Sequence, residues 1–244
     1  MKRYDTVIIG SGFYSFGYAV AHGSTLIVEE THLADRHFSG CLRGFADKAP
    51  ILTALGAIAL SEHMRDLGIV RDGAVCVPAL EAGLCDFLED RVPSVLLGTA
   101  CMEIQKDGEE YRLSLCNNEG LSTVAARRVI DTRVGLGNVL NVLVEGEIDN
   151  KIQELSVNNA FYSGQKILSL HFEKGADINL AKVEAYERLK PMLSSAGAKI
   201  LQTAYLMYSA DSAAPYTDSR GILHVDETFF ADPFTAFEKG ELQK

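Results

Sequence analysis

Apolar residues fall along this chain in runs whose period changes from segment to segment. Residues 4–9 (YDTVII) form a short, nearly continuous apolar run closed by Gly10, the pattern of a central parallel strand. Residues 12–22 carry small side chains at Ser15, Gly17 and Ala19 and end in His22-Gly23, which predicts a short helix stopped by glycine. TLIVEE (25–30) reads as a second strand. Strand, glycine turn, helix and strand in this order make one βαβ unit.

Beyond it, residues 31–48 show no period and predict an extended loop. Residues 49–69 read as helix, 72–78 (DGAVCVP) as a turn and short strand, 79–91 as an amphipathic helix, and 94–99 (SVLLGT) as a strand. From Cys101 to Thr132 apolar positions alternate and are broken at Lys106-Asp107-Gly108 and at Asn117-Asn118-Glu119-Gly120. Both breaks are turn chemistry, so an antiparallel meander is expected, ending in the strand RRVIDT. The stretch 137–210 changes character, with strands NVLVEG, KILSLHF and KILQTAYLMYS and one helix, LAKVEAYERLKPMLSS. The tail gives a strand (GILHV), a turn at Asp232-Pro233 and a final helix. The predicted fold is α/β. Residues 1–136 and 211–244 form a Rossmann-like domain with a parallel sheet and a β-meander, and 137–210 form an inserted smaller α+β lobe.

Gly10-Ser11-Gly12-Phe13-Tyr14-Ser15 fits G-x-G-x-x-[small]. The first glycine permits the tight turn, the second lets backbone approach a pyrophosphate, and the small sixth residue lets the helix press on the strand. Such a motif is weak alone, but here it follows a buried strand, opens a helix and leads to a strand closed by Glu29 and Glu30. A carboxylate at Glu29 would accept hydrogen bonds from ribose hydroxyls and disfavours a 2′-phosphate, which leaves FAD and NAD open at this point.

Charge changes the picture of partners. Among 244 residues, 23 Lys and Arg face 33 Asp and Glu, a formal charge of −10. Nucleic acid and anionic membrane surfaces would be repelled, and a diphosphate would have to be held by backbone N–H groups and a helix N-terminus. Five dispersed cysteines (41, 76, 85, 101, 116) without a CxxC read as reduced thiols, and no leader or spanning segment is expected, so a cytoplasmic protein is the expectation. No histidine or cysteine spacing suggests a metal site.

Three blocks together resemble the FAD-dependent oxidoreductases of the glutathione-reductase-type superfamily: VIIGSGFYS…LIVEE, the run from SVLLGT to RRVIDT, and GILHVDETFFADPFTAFEKG. The resemblance covers about residues 1–48, 94–133 and 220–244. It implies FAD as cofactor and an exchange of hydride or electrons with a small organic substrate. By position, it implies that Gly10 to Ser15 hold the diphosphate, Glu29 the adenosine ribose, and the backbone near Cys101 the adenine. Ser39 and Gly40 would lie near the diphosphate or ring, Thr132 stands in the family's A-T-G, and Asp226 would bond the ribitol. The final helix, from near Phe234, would point its N-terminus at the flavin pyrimidine. The chain departs from the family at Thr132-Arg133-Val134, where A-T-G is usual, and at Val225, where the family has glycine. There is no second G-x-G-x-x-G and so no separate nicotinamide domain is expected.

No catalytic residue stands out. Arg43 could clamp a carboxylate but reads first as a solvated loop arginine. His37 and His224 could donate protons but read first as packing or surface residues. Tyr205 and Tyr208 could line a pocket of the lobe, and Cys41 lacks a redox partner. Tyr186-x-x-x-Lys190 with Asn117–Gly120 mimics a short-chain dehydrogenase, yet the glycine spacing differs and Glu173 stands where its serine belongs. Two alternatives stay open beside the flavoenzyme: a degenerate FAD-binding or subunit protein without turnover, and an NAD-dependent dehydrogenase. A homo-oligomer or a partner subunit is also left open.

Overall fold

The structure is a computed structural model. It describes residues 1–43, 50–72, 74–91, 94–133, 135, 137–148 and 155–244. Val134 and residues 44–49, which include the end of the expected loop and the start of the expected second helix, lie outside the described residues.

The expected βαβ unit is present as β1 (Lys2–Ile9), α1 (Phe13–Ala21) and β2 (Thr25–Val28). Then come α2 (Leu55–Asp66), the short antiparallel pair β3 (Val70–Arg71) and β4 (Ala74–Val75), α3 (Val77–Leu88) and β5 (Ser94–Leu96). The meander is β6 (Ala100–Asp107), β7 (Glu110–Asn117) and β8 (Gly120–Asp131). Its turns place Gly108 and Gly120 at φ 65° and 108°, a region that favours glycine. β8 serves two neighbours in succession. Its first half pairs antiparallel with β7, and its second half runs parallel to β1, Ile130 opposite Ile8.

The next segment folds as a second sheet: β9 (Val139–Glu145), β10 (Ser156–Asn159), β11 (Gln165–His171), α4 (Ile178–Ser195) and β12 (Lys199–Thr203). The order is β10-β11-β9-β12, all antiparallel. The chain returns through β13 (Tyr216–Thr217), β14 (Leu223–His224), a 3-10 turn at Glu227–Phe229 and α5 (Pro233–Glu241). The main sheet then reads β13-β14-β8-β1-β2-β5, with β14, β8, β1, β2 and β5 parallel.

Alternation along the central strands sorts side chains into two layers. Ile8, Ile27 and Ile130 face the helices, and Val7, Ile9, Leu26 and Val129 face the meander's Leu113 and Leu115. On the helical side, α1 and α5 meet backbone to backbone. A Cβ at Gly17 would lie 2.0 Å from the Phe237 carbonyl oxygen, and one at Gly240 would lie 2.1 Å from that of Tyr14. Gly17, not only Ser15, is therefore the small residue that the packing demands.

Three of the boundaries that differ from the sequence reading do so for a reason visible in the structure. The second helix begins at Leu55, not at 49, because Glu238 and Glu241 of α5 accept the N–H groups of Thr53, Ala54, Gly56 and Ala57 and fix the start there. Val77-Pro78 opens α3 and is not part of a strand, since proline at a first turn forfeits no hydrogen bond. KILQTAYLMYS is a strand only to Thr203; Tyr205 and Leu206 turn away to donate their N–H groups to the Gly40 carbonyl.

Candidate functional site

The glycine turn sits at the carboxyl ends of β1 and β8, where parallel α/β sheets hold ligands. Gly10 adopts φ 101°, and a Cβ there would meet Thr132 Oγ1 at 2.6 Å. Gly12 precedes α1 and has no side chain to cap the helix. The free N–H groups of the first turn therefore need an anion or a dipole from elsewhere.

They find one from the other end of the chain. The Glu227 carboxyl accepts Tyr14 N at 3.1 Å and Ser15 N at 3.4 Å, and the Ser15 hydroxyl lies 3.3 Å away. It rests on the glycine itself, because a Cβ at Gly12 would fall 2.5 Å from Glu227 Oε2. Glu227 is fully buried, and its pKa is pushed up to about 8. Burial is the main cause, the nearby Asp35 carboxylate adds to it, and the hydrogen bonds from Tyr14 and Ser15 oppose it. At neutral pH this is a largely protonated, neutral acid.

Glu29 is equally enclosed. One oxygen accepts Ser11 N (3.0 Å) and the Ser11 hydroxyl; the other accepts Thr31 N and Oγ1 (both 2.7 Å) and Arg36 Nη1 at 3.3 Å. Arg36 Nη1 also reaches Glu30 at 3.1 Å. The carboxylate expected to hold a ribose is thus saturated by protein donors.

The loop after β2 is a tight turn organised by Asp35, which accepts His37 N, Phe38 N, Ser39 N and the Ser39 hydroxyl. Ser39 and Gly40 are held there, with Gly40 pressed on the Arg36 backbone and joined to the lobe through its carbonyl. The lobe makes a second tie: Asn141 Nδ2 donates to the carbonyls of Cys41 and Leu42, both at 3.0 Å. Neither Asp35, Asn141 nor Glu227 stood out in the sequence.

Among the described residues, several buried side-chain nitrogens of this loop have no hydrogen-bond partner: Arg36 Nε, both ring nitrogens of His37, and Arg43 Nη1. His37 is fully buried and held far below the ordinary histidine pKa by burial and by the charges of Arg36 and Arg43, with the Thr132 backbone opposing. It is neutral, which fits neither a surface histidine nor a charged proton donor. Arg43, expected in solvent, instead lies over the rings of Phe38 (4.9 Å) and Tyr208 (5.3 Å) and donates to the Phe230 carbonyl. The Cys41 thiol, fully buried, is raised to about 12 by burial and is inert as a nucleophile.

The other candidates scatter. Thr132 joins the turn, its hydroxyl 3.1 Å from that of Ser15. Phe13 packs edge-on against Phe38, and the Tyr14 ring stacks on Phe230. Asp226 caps the 3-10 turn by accepting Thr228 N and Oγ1. The N-terminus of α5 is capped by Asp232, and Phe234 is core. The helix starts at Pro233, beside the expected position at Phe234. Cys101 is the second residue of β6, half-buried, with Arg133 and Asp131 nearby. Tyr205 is largely exposed. His224 faces Asp218 at 3.3 Å and stacks on Tyr216. It lines an open cavity of about 380 Å³ with Asp131, Arg133, Lys174, Tyr216 and Asp226, at the carboxyl ends of β8 and β14. A larger depression of about 600 Å³ lies by Asp5, Thr6 and His22, beside the turn from α1 into β2 and away from the carboxyl ends of the strands at which this fold places ligands. Tyr186 and Lys190 pair on α4 of the lobe, and Asn117–Gly120 is a turn of the meander, so the dehydrogenase mimic has no common site.

Among the described residues no helix is long and apolar enough to cross a membrane, and no three His, Cys, Asp or Glu side chains group as metal ligands. The residues fit a diphosphate in chemistry, with backbone donors, a glycine cradle and unmet donors close by. They do not fit it in space, because the Glu227 carboxyl fills the cradle.

No protein-family model matches the sequence, and no curated protein matches it. Solved structures match along nearly the whole chain. p-Nitrophenol 4-monooxygenase PnpA from Pseudomonas putida DLL-E4 is 13% identical with a TM-score of 0.63, over 99% of this chain and 77% of that one. Glycine oxidase from Geobacillus kaustophilus is 14% identical with a TM-score of 0.60, over 99% and 94%. The flavin-dependent monooxygenase PieE, solved in complex with FAD and substrate, is 14% identical with a TM-score of 0.53; the match covers 91% of this chain and 52% of that one. The chain therefore has the FAD-binding Rossmann-like fold of these oxidases and monooxygenases.

Proposed function

We propose that this chain is an FAD-binding protein of the oxidoreductase class, with its cofactor cleft over the Gly10–Ser15 turn. The observation that carries the reading is that turn, with Gly10 at φ 101° behind an N-terminus of α1 that has no cap of its own. The unmet donors of Arg36, His37 and Arg43 support it, since buried donors are rarely left without a partner. So does the fold shared with a monooxygenase that binds FAD.

Within this class, the three sequence blocks favour the glutathione-reductase-type branch. A flavin supplies hydride and electron transfer, and the protein's part is to position and shield it. The lobe over 137–210, tied to the Gly40–Leu42 loop, is the natural cap for a small organic substrate. The open cavity by Arg133, Lys174 and His224 offers donors for an anionic one.

A second reading is a flavin-fold protein without turnover. It is favoured by the saturated Glu29 and by Val225 where the family has glycine. The test is to refold the protein with excess FAD, remove free flavin, and identify what is retained. Retention by the native sequence or by Glu227→Ala, and loss with Gly12→Val, is expected. Absence of retained flavin from all of them would overturn the reading. Retained flavin that no substrate reduces would select the second.

A further inference from the structure

We propose that Glu227 decides whether the cleft takes a dinucleotide: its carboxyl is an internal substitute for the diphosphate, and FAD enters only when this side chain leaves. The inference rests on the FAD reading above and goes beyond it by naming the residue that controls occupancy.

Three observations converge. The first is position. An anion at a helix N-terminus is held by the N–H groups of the first turn, and the second glycine of such a turn exists so that the anion can come close. Glu227 takes both features at once, bonded to Tyr14 N and Ser15 N and seated on Gly12. A diphosphate and this carboxyl cannot share them.

The second is what is left over. If Glu227 were only a structural cap, the surroundings should be satisfied with it in place. Arg36 Nε, both nitrogens of His37 and Arg43 Nη1 are buried and unpartnered instead. Arg36 is itself tied to Glu29, and His37 lies beside Thr132, whose hydroxyl bonds to Ser15. One carboxyl meets the backbone donors of the cradle and leaves these side-chain nitrogens of the adjoining loop unmet, whereas a diphosphate has more oxygens to offer.

The third is the mount. Glu227 begins a single 3-10 turn, with Asp226 capping it and Phe229 largely exposed two residues later. It belongs to a short connection between β14 and α5 and not to a regular element. A tethered group competes at high effective concentration, and apparent affinity falls by the fraction of molecules in which the site is open.

The test is titration of FAD into the native protein and into Glu227→Ala, Glu227→Gln and Glu227→Asp, with circular dichroism to confirm folding. Removing the side chain should tighten FAD binding at least tenfold. The glutamine variant, which keeps the shape and cannot ionise, should bind FAD no better than the native protein. If the alanine variant does not fold, Glu227→Asp, whose carboxyl is withdrawn by one methylene, should show the gain instead. Equal affinity of the native and alanine (or aspartate) proteins would overturn the inference and leave the FAD reading standing. Glutamine matching alanine would also overturn it, since a side chain that still fills the cradle would then not obstruct FAD. Failure of every folded variant to bind FAD would remove the FAD reading and this inference with it.

Discussion

Of the described helices that begin without a side-chain cap of their own, α1 and α2 both borrow glutamates from the last thirty residues. At α2, Glu238 accepts the N–H groups of Thr53 and Ala54, and Glu241 those of Gly56 and Ala57. At α1, Glu227 accepts those of Tyr14 and Ser15. The underlying physics is the same: a carboxyl supplies what the first turn of a helix leaves unpaired. The outcomes are opposite. Burial works against ionisation of Glu238, yet the Thr53 and Ala54 donors win and its pKa is lowered. Burial and Asp35 win at Glu227, and its pKa rises to about 8. One is an ordinary charged cap. The other is an acid forced into a cleft that its fold reserves for a ligand.

The contrast has a pH signature. An ordinary glutamate titrates near 4.5, the value expected for both residues in the unfolded chain. Between that pH and about 8, the folded protein keeps a proton on Glu227 that the unfolded chain has lost, so stability falls as pH rises through this window. Glu227→Gln should therefore gain on the native protein as pH rises, by up to about 5 kcal/mol above pH 8. Glu238→Gln should show the opposite sign: the native residue's stabilisation is present above the unfolded pKa and lost as pH falls. Urea unfolding across pH measures both, and parallel curves for the two variants would erase the distinction.

The glycines sharpen the same comparison. At Gly17 a methyl group would strike the backbone of Phe237, whereas at Gly56 it would meet only the Glu241 side chain, which can move. Gly17→Ala should cost about 3 kcal/mol and Gly56→Ala under about 1 kcal/mol. Similar costs at the two positions would contradict the close α1–α5 contact. Glu238→Ala should cost about 1 kcal/mol, the usual loss for a helix cap, with FAD affinity unchanged. The smallest effect is chemical: the exposed Cys85 should react with a maleimide in the native protein, and the buried Cys41 should stay unmodified until unfolding.

What the sequence made legible follows the range of the interactions involved. The βαβ unit, its glycine turn and the meander are local patterns, set by apolar period and turn residues, and all are present. The start of α2 was misplaced because its cap comes from α5, and the end of the β12 strand because the Gly40 carbonyl draws Tyr205 out of the sheet. Arg43 looked solvated because nothing local shows that Phe38 and Tyr208 will enclose it. Glu227 lies beside Asp226, the position the resemblance singled out, and more than two hundred residues from the turn it fills. The signal available was a charged residue next to the family's flavin-contacting acid, in a segment otherwise rich in phenylalanine.

The most direct test of the account is the carboxyl ¹³C resonance of Glu227, assigned through Glu227→Gln and followed against pH with and without saturating FAD. The account predicts a carboxyl that titrates near pH 8 in the free protein and returns to the ordinary glutamate range when FAD displaces it into solvent. A resonance that titrates near 4.5 in the free protein, or that does not change on FAD binding, would contradict it.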